Sequence, residues 1–446
     1  MRPWLSLPFA LLLAAVATAQ SPSSSPQATP SAAPKANVMK AKAATPQAVH
    51  KSAIVIDTHA DTPGRFVDDG FDPGTDACTG HWDLKKVRRG NLGAEFFSIW
   101  VDPEQHKGHY TRRALDMIDS VYETVERHPD EMTMAYTVRD IRAARTGAHK
   151  KLAALLGVEG GHAIEGDIRV LRDFYRLGVR YMTLTWSNSN EIGQSSGDVK
   201  VGDDGKPKDP GLTDFGRDVV REMNRLGMMV DISHVSDNTF YQTLVVSRAP
   251  VIASHSSSRA ITNHPRNMTD KMLVALARNG GVAQVNFNCG FISNDFLAAE
   301  KAYSQQHATE VKRMRELWLA PKTAAREAEL ARLQDEYRKA VPRPPFSALM
   351  DHFDHMIKVA GVDHVGIGSD FDGVECLPEG IDGVQDLPKI TADLMRRGYS
   401  PTDVQKVLGG NLLRVFAEVE KTSKQIQKEQ ATDRRPEVAI KPAAKK

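Results

Sequence analysis

Cysteine is scarce in this chain, and its scarcity argues against a scaffold built on disulfides. Only three cysteines, Cys78, Cys289 and Cys376, occur in 446 residues, and their spacing is far from that of a zinc knuckle. A chain of this length can bury a large core without disulfide support. An exported protein can pair two of the three cysteines, and the sequence leaves open which two.

The chain also lacks an excess of charge of either sign. Its 58 basic and 56 acidic residues give a formal net charge of +2, so nothing electrostatic suggests a nucleic acid as a partner. No G-x-G-x-x-G sequence opens a helix after the first predicted strand, which argues against a dinucleotide-binding fold. Hydrophobic residues make up 41% of the chain, which is ordinary for a globular protein.

The N-terminus has the pattern of a secretory signal peptide. Arg2 precedes an apolar run from Leu5 to Val16, and small residues lead to a cleavage site after Ala19. The run is shorter than the roughly 20 apolar residues of a membrane span. Residues 1–19 therefore predict export to the periplasm or the medium, with no stable membrane insertion.

The composition divides the rest of the chain into a predicted globular part and two flanking segments. Residues 20–48 are rich in Ser, Pro, Ala and Lys without apolar periodicity, which predicts a disordered spacer. Residues 49–420 form the predicted barrel domain. Residues 421–446 are charged and punctuated by proline, so we expect a disordered tail whose start extends a helix. Residues 291–345 predict a helical insertion of one or two exposed helices.

Eight short apolar strands alternate with amphipathic segments in the predicted globular part. The strands are Ala53–Asp57, Ala94–Trp100, Leu155–Glu159, Tyr181–Thr185, Met228–Ile232, Val251–Ser254, Val282–Asn286 and Val365–Gly368. Near-continuous apolar runs are typical of parallel strands buried on both faces. The alternation predicts a (β/α)8 TIM barrel of the α/β class, with the helical insertion after the seventh strand. An open doubly wound sheet is the alternative.

Residues that can bind metals follow the predicted strands, where a barrel has its active site. His59 and Asp61 end the first strand, and residues two apart in an extended segment point to the same side. Glu159 closes the third strand. A buried glutamate is unfavourable unless a cation or hydrogen-bond donors neutralise it. Pairing with an arginine is the alternative for Glu159.

Two histidines and an aspartate extend this pattern. His234 and His255 end the fifth and sixth strands, and Asp370 follows the eighth. Each histidine alone is more often a structural residue, and Asp370 alone could be a helix cap or a turn residue. Together with the earlier residues they supply imidazole and carboxylate ligands, which zinc accepts. The set predicts two metal ions that share a bridging carboxylate.

In these motifs the chain resembles the membrane (renal) dipeptidases, the zinc-dependent M19 peptidases with an amidohydrolase-like barrel. The similarity runs from about residue 54 to residue 416. It rests on Asp-Thr-His-Ala-Asp-Thr-Pro at 57–63, Gly-Val-Glu-Gly-Gly-His at 157–162, Asp-Ile-Ser-His-Val-Ser at 231–236, Ser-His-Ser-Ser at 254–257, Pro-Arg-Asn at 265–267 and Gly-Ser-Asp-Phe-Asp-Gly-Val at 368–374.

The resemblance implies a metallo-dipeptidase with two zinc ions per chain. His59 and Asp61 would hold one ion, His234 and His255 the other, and Glu159 would bridge them and so take part in catalysis. A hydroxide between the metals would attack the peptide bond of a dipeptide.

The resemblance also assigns residues to the substrate. Arg266 would bind the C-terminal carboxylate of a dipeptide, which suits a guanidinium, and Asp370 would shuttle a proton. One position departs from the family, because its substrate-facing histidine is Trp186 here. Indole offers one donor and no acceptor, so the departure bears on the substrate range. Asn188 or Asn190 is a candidate for the missing donor.

Two other functions remain open at this point. The first is a binuclear-zinc amidase, deacylase or lactonase that acts on another small polar molecule. The second is an exported binding protein without catalysis, which we would expect to have lost some metal ligands. The sequence also leaves a homodimer open.

Overall fold

A computed structural model describes residues 44–75, 80–147, 149–320 and 323–433. The predicted signal peptide, the spacer up to residue 43, Cys78 and the tail from residue 434 lie outside the described residues. No helix in the described ranges is long and apolar enough to cross a membrane.

Parallel strands in chain order form the wall of a barrel. The described strands are β1 (Val55–Ala60), β2 (Leu92–Trp100), β3 (Met132–Met134), β4 (Leu152–Glu159), β5 (Val179–Thr183), β6 (Lys200–Val201), β7 (Pro207–Lys208), β8 (Met229–Asp231), β9 (Ile252–Ala253), β10 (Val282–Val285) and β11 (Val365–Ile367). Eight of them follow one another as β1-β2-β4-β5-β8-β9-β10-β11. The short β3 pairs with β4, and β6 pairs with β7 in an antiparallel hairpin.

The first and last strands of this order meet at their C-terminal ends. Asp61 N donates to the carbonyl of Phe371 at 2.8 Å, and Asp370 N donates to the carbonyl of His59 at 3.0 Å. Ala60 and Phe371 form a parallel bridge. The predicted (β/α)8 barrel is therefore confirmed, and the open doubly wound sheet is wrong.

Helices cover the outside of the barrel. They are α1 (Pro46–Ser52), α2 (Thr62–Asp69), α3 (Leu84–Gly90), α4 (Tyr110–Arg127), α5 (Val138–Ala144), α6 (Ile168–Arg176), α7 (Asp214–Leu226), α8 (Asp237–Val246), α9 (Asp270–Asn279), α10 (Cys289–Ile292), α11 (Asn294–Gln306), α12 (Ala308–Leu319), α13 (Ala324–Ala340), α14 (Phe346–Ala360), α15 (Leu387–Arg396), α16 (Pro401–Gln405) and α17 (Asn411–Asp433).

Capping residues explain where the helices around the middle of the barrel begin and end. The side chains of Thr213, Ser236 and Thr269 accept hydrogen bonds from backbone amides in the first turns of α7, α8 and α9. Gly227 and Gly280 end α7 and α9 in the left-handed conformation, with φ of 89° and 82°. After these caps the chain enters β8 and β10 within three residues.

The insertion after β10 holds more helices than predicted. It holds three helices of ordinary length, α11, α12 and α13, after the short α10, whereas the sequence predicted one or two. Small apolar clusters join these helices, since Phe296 and Tyr303 pack with Val341, and Leu317 packs with Leu330. The apolar positions are too few and too scattered among charged residues to mark three separate helices in the sequence.

Both flanking segments contribute helix, on the N-terminal side where a disordered spacer was predicted. At the N-terminal side α1 begins at Pro46, inside the predicted spacer, because Thr45 caps it through a hydrogen bond from Ala48 N. At the C-terminal side α17 continues to residue 433. Ser423 is buried and donates to the carbonyl of Arg225 at 2.7 Å, so polar contacts hold this stretch against the barrel domain.

A disulfide joins the insertion to the loop after β11. Cys289, the first residue of α10, is bonded to Cys376, which lies 87 positions further along the chain. Cys289 N also donates to the carbonyl of Cys376 at 3.1 Å. The bond ties two segments together at the rim of the barrel.

Removing this disulfide should destabilise the protein measurably. The Cys289→Ser/Cys376→Ser double variant is expected to lose about 2–4 kcal/mol in free energy of unfolding, because the cross-link restricts a long loop in the unfolded chain. Urea unfolding measures the change. The matched control is Cys78→Ser, which should leave the midpoint unchanged. Equal destabilisation by both replacements would contradict this pairing.

Candidate metal centre

Glu159 is the centre of the site, and its two carboxylate oxygens face different histidines. It is the last residue of β4 and is 4% exposed. Oε2 lies 3.1 Å from His59 Nε2. Oε1 lies 2.9 Å from His234 Nε2 and 3.4 Å from His255 Nε2. Each oxygen can therefore serve a separate ion, and the alternative of an arginine partner for Glu159 is not what the structure shows.

The first group of predicted ligands converges beside Oε2 of Glu159. Asp61 Oδ2 lies 3.5 Å from His59 Nε2, and Asp370 Oδ1 lies 4.0 Å from the same nitrogen. His59, Asp61 and Asp370 offer three ligand atoms within 4.8 Å of one another. Asp370 is therefore close enough to contribute a ligand atom to the same metal ion as His59 and Asp61.

The second group lies beside Oε1 of Glu159. His234 Nε2 and His255 Nε2 are 3.0 Å apart. They follow β8 and β9, which are neighbours in the barrel. His59, Glu159 and His255 also offer ligand atoms within 4.8 Å of one another. All five ligands predicted from the sequence are therefore brought together at one rim.

Hydrogen bonds beneath the site orient His59. Its Nδ1 lies 2.9 Å from Tyr181 Oη, which itself donates to the carbonyl of Thr58 at 3.0 Å. Since that hydroxyl proton is already used, Tyr181 accepts from His59 Nδ1. The Nε2 of a neutral His59 then carries a lone pair that faces the carboxylate of Glu159.

A serine–aspartate pair orients His255 in the same way. Ser254 Oγ donates to Asp231 Oδ2 at 2.6 Å and lies 2.7 Å from His255 Nδ1. His255 Nδ1 is therefore the donor, and its Nε2 is an acceptor directed at Glu159. Such partners of a ligating histidine fix its ring and raise its basicity.

The charges of the site call for a cation. Burial would raise the pKa of Glu159, but the charge of His59 and hydrogen bonds from His234, His255 and His59 hold it well below its ordinary range. Burial lowers the pKa of His234 to about 4 and that of His255 well below its usual value. The imidazoles of His234 and His255 are thus neutral beside an ionised carboxylate. Burial would lower the pKa of His59 as well, but the nearby Tyr181 and Glu159 raise it well above its ordinary value.

This donor set fits zinc. Imidazole nitrogens and carboxylate oxygens are its usual ligands. The acceptor nitrogens of His59 and His255 face an acceptor carboxylate, which is favourable only with a proton or a metal cation between them. Asp61 Oδ1 is also buried without a hydrogen-bond partner among the described residues.

Asp370 lies at the edge of the cluster, on the loop that follows β11. Its backbone has φ of 67°, and Asn286 Nδ2 donates to its Oδ2 at 2.8 Å. Burial raises the pKa of Asp370 to about 7, against the opposing charge of His59. A Cβ on Gly373 would lie 1.9 Å from Asp61 Oδ2 and 2.7 Å from Asp370 Oδ1, so this close approach requires glycine.

Arg266 is a buried residue and not a surface residue. It is 7% exposed, and its guanidinium donates to Ser256 Oγ and to the carbonyl of His255, both at 2.7 Å. The ring of Phe291 lies 5.8 Å from its guanidinium carbon. Burial lowers the pKa of Arg266 to about 10, so it stays cationic at neutral pH. Three of its five N–H groups remain for a ligand.

A cavity of about 1000 Å³ opens above the cluster. Asp61, Glu159, His234 and Asp370 line its floor, and Trp186 lines its wall. The insertion also reaches this cavity, through Arg315, Gln334 and Arg338.

The two asparagines after β5 have different positions. Asn188 lines the cavity, and its Oδ1 is buried without a hydrogen-bond partner among the described residues. Asn190 donates to the carbonyl of Leu184 and accepts from Ile192 N. Asn188 is therefore the available polar group near Trp186, and Asn190 holds the loop.

A sequence profile of the membrane dipeptidase family, peptidase family M19, matches residues 43–430. The chain belongs to this family. The family is one of metallo-dipeptidases, so the resemblance to the membrane dipeptidases is confirmed.

Individual relatives agree with this membership. Dipeptidase 3 of Rattus norvegicus is 34% identical over 341 residues, which are 76% of this chain and 59% of that protein. This chain thus spans less than two thirds of that relative. The probable dipeptidase PvdM from Pseudomonas aeruginosa has a TM-score of 0.71 at 26% identity, covering 84% of this chain and 98% of its own. The metallopeptidase dipeptidase AC has a TM-score of 0.65 at 26% identity, and the match covers 82% of this chain and 99% of that chain.

The sequence did not single out the residues that support the dipeptidase site from below. Tyr181, Ser254 and Asp231 sit on or directly after strands, where they are indistinguishable from core and turn residues. Trp100 at the end of β2 lines the cavity but was assigned only to a strand. Side chains alternate between the two faces of a strand, and this alternation along β2 and β5 is the signal that could have shown on which face Trp100 and Tyr181 lie.

Removing the support of His59 should weaken metal binding. Tyr181→Phe deletes the acceptor for His59 Nδ1 and is expected to lower zinc affinity about 10–100-fold. Competition with a zinc chelator measures the affinity. The matched control is Tyr122→Phe, which removes a hydroxyl bonded to Tyr136 and Leu177 away from the site. An affinity equal to that of the wild type in Tyr181→Phe would contradict the orienting role.

Proposed function

We propose that this chain is a zinc-dependent dipeptidase that holds two zinc ions and hydrolyses the peptide bond of dipeptides. One observation carries the proposal. The two oxygens of Glu159 face separate ligand groups, with His59 on one side and His234 and His255 on the other. A carboxylate in this position suits two neighbouring ions.

His59 and Asp61 would hold one zinc ion, His234 and His255 the other, and Glu159 both. Bound there, zinc supplies Lewis acidity, which lowers the pKa of water and polarises a carbonyl oxygen.

Asp370 is the residue we assign to proton transfer. Its carboxylate lies at the cavity floor, 4.0 Å from His59 Nε2, and Asn286 fixes one of its oxygens. A raised pKa places it near the operating pH of a general base. Asp370 takes a proton from the attacking water and passes it to the nitrogen of the leaving amino acid.

Arg266 is assigned to the free carboxylate of the substrate. Its charge is buried close to Asp370 and Glu159, and its remaining N–H groups suit a planar carboxylate. Phe291 lies over the guanidinium and also lines the cavity. A carboxylate that reaches Arg266 must therefore pass this ring, which favours short substrates.

We also propose that the chain is exported. The pattern of residues 1–19 motivates this, and the Cys289–Cys376 bond supports it, because disulfides persist in oxidising compartments. Fractionation of cells that express the full chain tests it. Mature protein that starts near Gln20 outside the cytoplasm is expected, and intracellular full-length protein would contradict export.

A substrate panel tests the proposed reaction. Zinc-loaded protein is assayed on Xaa–L-amino acid and Xaa–D-amino acid dipeptides, on N-acyl amino acids and on lactones, with the zinc content measured on the same sample. Hydrolysis of dipeptides by protein with two zinc ions is expected. Inactivity on every dipeptide together with turnover of N-acyl amino acids would instead support an amidase or deacylase. This is the second candidate function, because Trp186 replaces the substrate-facing histidine of the family.

A further inference from the structure

We propose that Trp100 and Trp186 form an aromatic wall that selects dipeptides with a large apolar N-terminal side chain. The inference rests on the proposed dipeptidase function and names the substrate class of the same site. The two indoles are called the tryptophan wall below.

The two indoles are in contact and stand beside the metal ligands. Their ring centroids are 5.1 Å apart with planes inclined by 53°. Trp186 also lies 6.2 Å from the ring of His234, inclined by 36°. Trp100 ends β2 and Trp186 follows β5, so the pair flanks β4, which ends in Glu159. A side chain beside the scissile bond therefore meets both rings.

The chain holds Trp186 firmly in this position. Ser195 Oγ donates to the carbonyl of Trp186 and also lies 3.2 Å from the carbonyl of His234. A Cβ on Gly160 would lie 3.2 Å from the Cβ of Trp186, and Gly160 has φ of 93°. The wall is thus packed against the backbone that follows the bridging glutamate, and its distance from the ligands is set by the fold.

The rest of the cavity lining carries many charged side chains, among them Asp61, Asp102, Glu104, Arg315, Arg338 and Asp370. Its other large apolar side chains, Phe291 and Val374, are each smaller than an indole. An apolar substrate side chain therefore finds its largest apolar contact at the two indoles. Contact with an aromatic surface removes apolar area from water on both sides.

The order of the strands indicates that the tryptophan wall contacts the N-terminal residue of a bound dipeptide. In the barrel order, β2 lies four strands from β9, which precedes Arg266. In a barrel of eight strands that places Trp100 on the side opposite Arg266. If Arg266 binds the C-terminal carboxylate, the N-terminal residue extends across the metal ligands toward the tryptophan wall.

Steady-state kinetics on matched dipeptides test the wall. Zinc-loaded protein is compared on Phe-Ala, Leu-Ala and Gly-Ala, and on Ala-Phe and Ala-Gly as the reversed set. We expect kcat/KM for Phe-Ala to exceed that for Gly-Ala by about 10–200-fold, the range that one hydrophobic pocket supplies, with a smaller ratio between Ala-Phe and Ala-Gly.

Replacements within the wall should reduce this ratio. Trp186→His and Trp100→Leu are each expected to bring the Phe-Ala to Gly-Ala ratio below about one third of the wild-type value. Tyr241→Ala, an exposed aromatic on α8, is the matched control and should keep the ratio. Thermal unfolding of each variant identifies loss of fold, and because a ratio of substrates is compared, partial loss of folded protein does not change it.

The outcomes separate the two proposals. A wild-type ratio near one, or an unchanged ratio in both tryptophan variants, overturns the wall while dipeptide hydrolysis stands. Selectivity that follows the C-terminal residue overturns the assignment to the N-terminal one. Inactivity on every dipeptide overturns the proposed function. Calorimetric titration of zinc-free protein adds a second readout, in which Phe-Ala should bind more tightly than Gly-Ala in the wild type and not in Trp186→His.

Discussion

Glu159→Ala should reduce bound zinc from two ions to at most one and lower kcat/KM about 10⁴-fold or more, the scale of losing a catalytic group. The physical reason is that both oxygens of Glu159 lie within 3.4 Å of histidine nitrogens that belong to different ligand groups. Without this carboxylate, two cations at the rim would repel each other with less negative charge between them. Elemental analysis and steady-state assays measure both effects.

A second buried glutamate provides the control for this prediction. Glu95 on β2 is fully buried and accepts from Trp82 Nε1 at 3.0 Å. Burial raises the pKa of Glu95 well above its ordinary value, which favours its neutral form, and Glu95→Gln preserves the shape of the side chain. That variant should keep both zinc ions. Full zinc content and rate in Glu159→Ala, or equal losses in the two variants, would refute the bridging role.

Asp370→Asn is expected to lower kcat about 10²–10⁴-fold, the usual contribution of a general acid–base group. The amide keeps the size of the side chain but cannot take up the proton. Because burial raises the pKa of Asp370 to about 7, the working carboxylate form is lost as the pH falls. The rate of the wild type should therefore rise with pH through this range, and the variant should lose that dependence.

A change of leaving group separates proton transfer from metal binding by Asp370. The leaving group of an ester analogue is an alkoxide, which can depart without a proton because it is a far weaker base than the amide anion of an unprotonated leaving amine, so Asp370→Asn should lose less activity on the ester. Asp363→Asn, at the other end of β11 and paired with Lys406 at 2.8 Å, is the matched control. If Asp370→Asn loses zinc in proportion to activity, Asp370 acts as a ligand and not as a proton shuttle.

The barrel could be predicted from the sequence because its strands are buried on both faces. β4 is buried at every position, so it is a continuous apolar run that ends abruptly at a glutamate. The same contrast marks β8 and β9, although they hold only three and two residues in the sheet. The three-residue β3 was missed because Met132–Met134 is too short to show a period.

How far the helix extends into the tail could not be predicted, because the residues that hold it there are polar. Ser423 and Thr422 are buried on α17, yet both are polar, and the stretch around them is charged. Its contact with Arg225 is 198 residues away in sequence. The pairing of Cys289 with Cys376 was equally undecided, because the two cysteines lie 87 positions apart and are brought together only by the adjacency of β10 and β11, after which they follow.

The five candidate metal ligands could be predicted because each interrupts an apolar strand at its C-terminal end. The supporting residues do not stand out in this way. Tyr181 is an aromatic on a buried strand, and only the barrel shows that its hydroxyl meets His59. The placement of Arg266 came from the family resemblance, and the structure adds that its guanidinium is largely enclosed by Ser256 and the carbonyl of His255.

Diffraction from zinc-loaded crystals at the zinc absorption edge tests the central claim most directly. The account predicts two anomalous peaks per chain, about 3.5–4 Å apart, with one oxygen of Glu159 bound to each ion. His59 and Asp61 should coordinate one peak, and His234 and His255 the other. A single peak, or two peaks of which only one contacts Glu159, would contradict it.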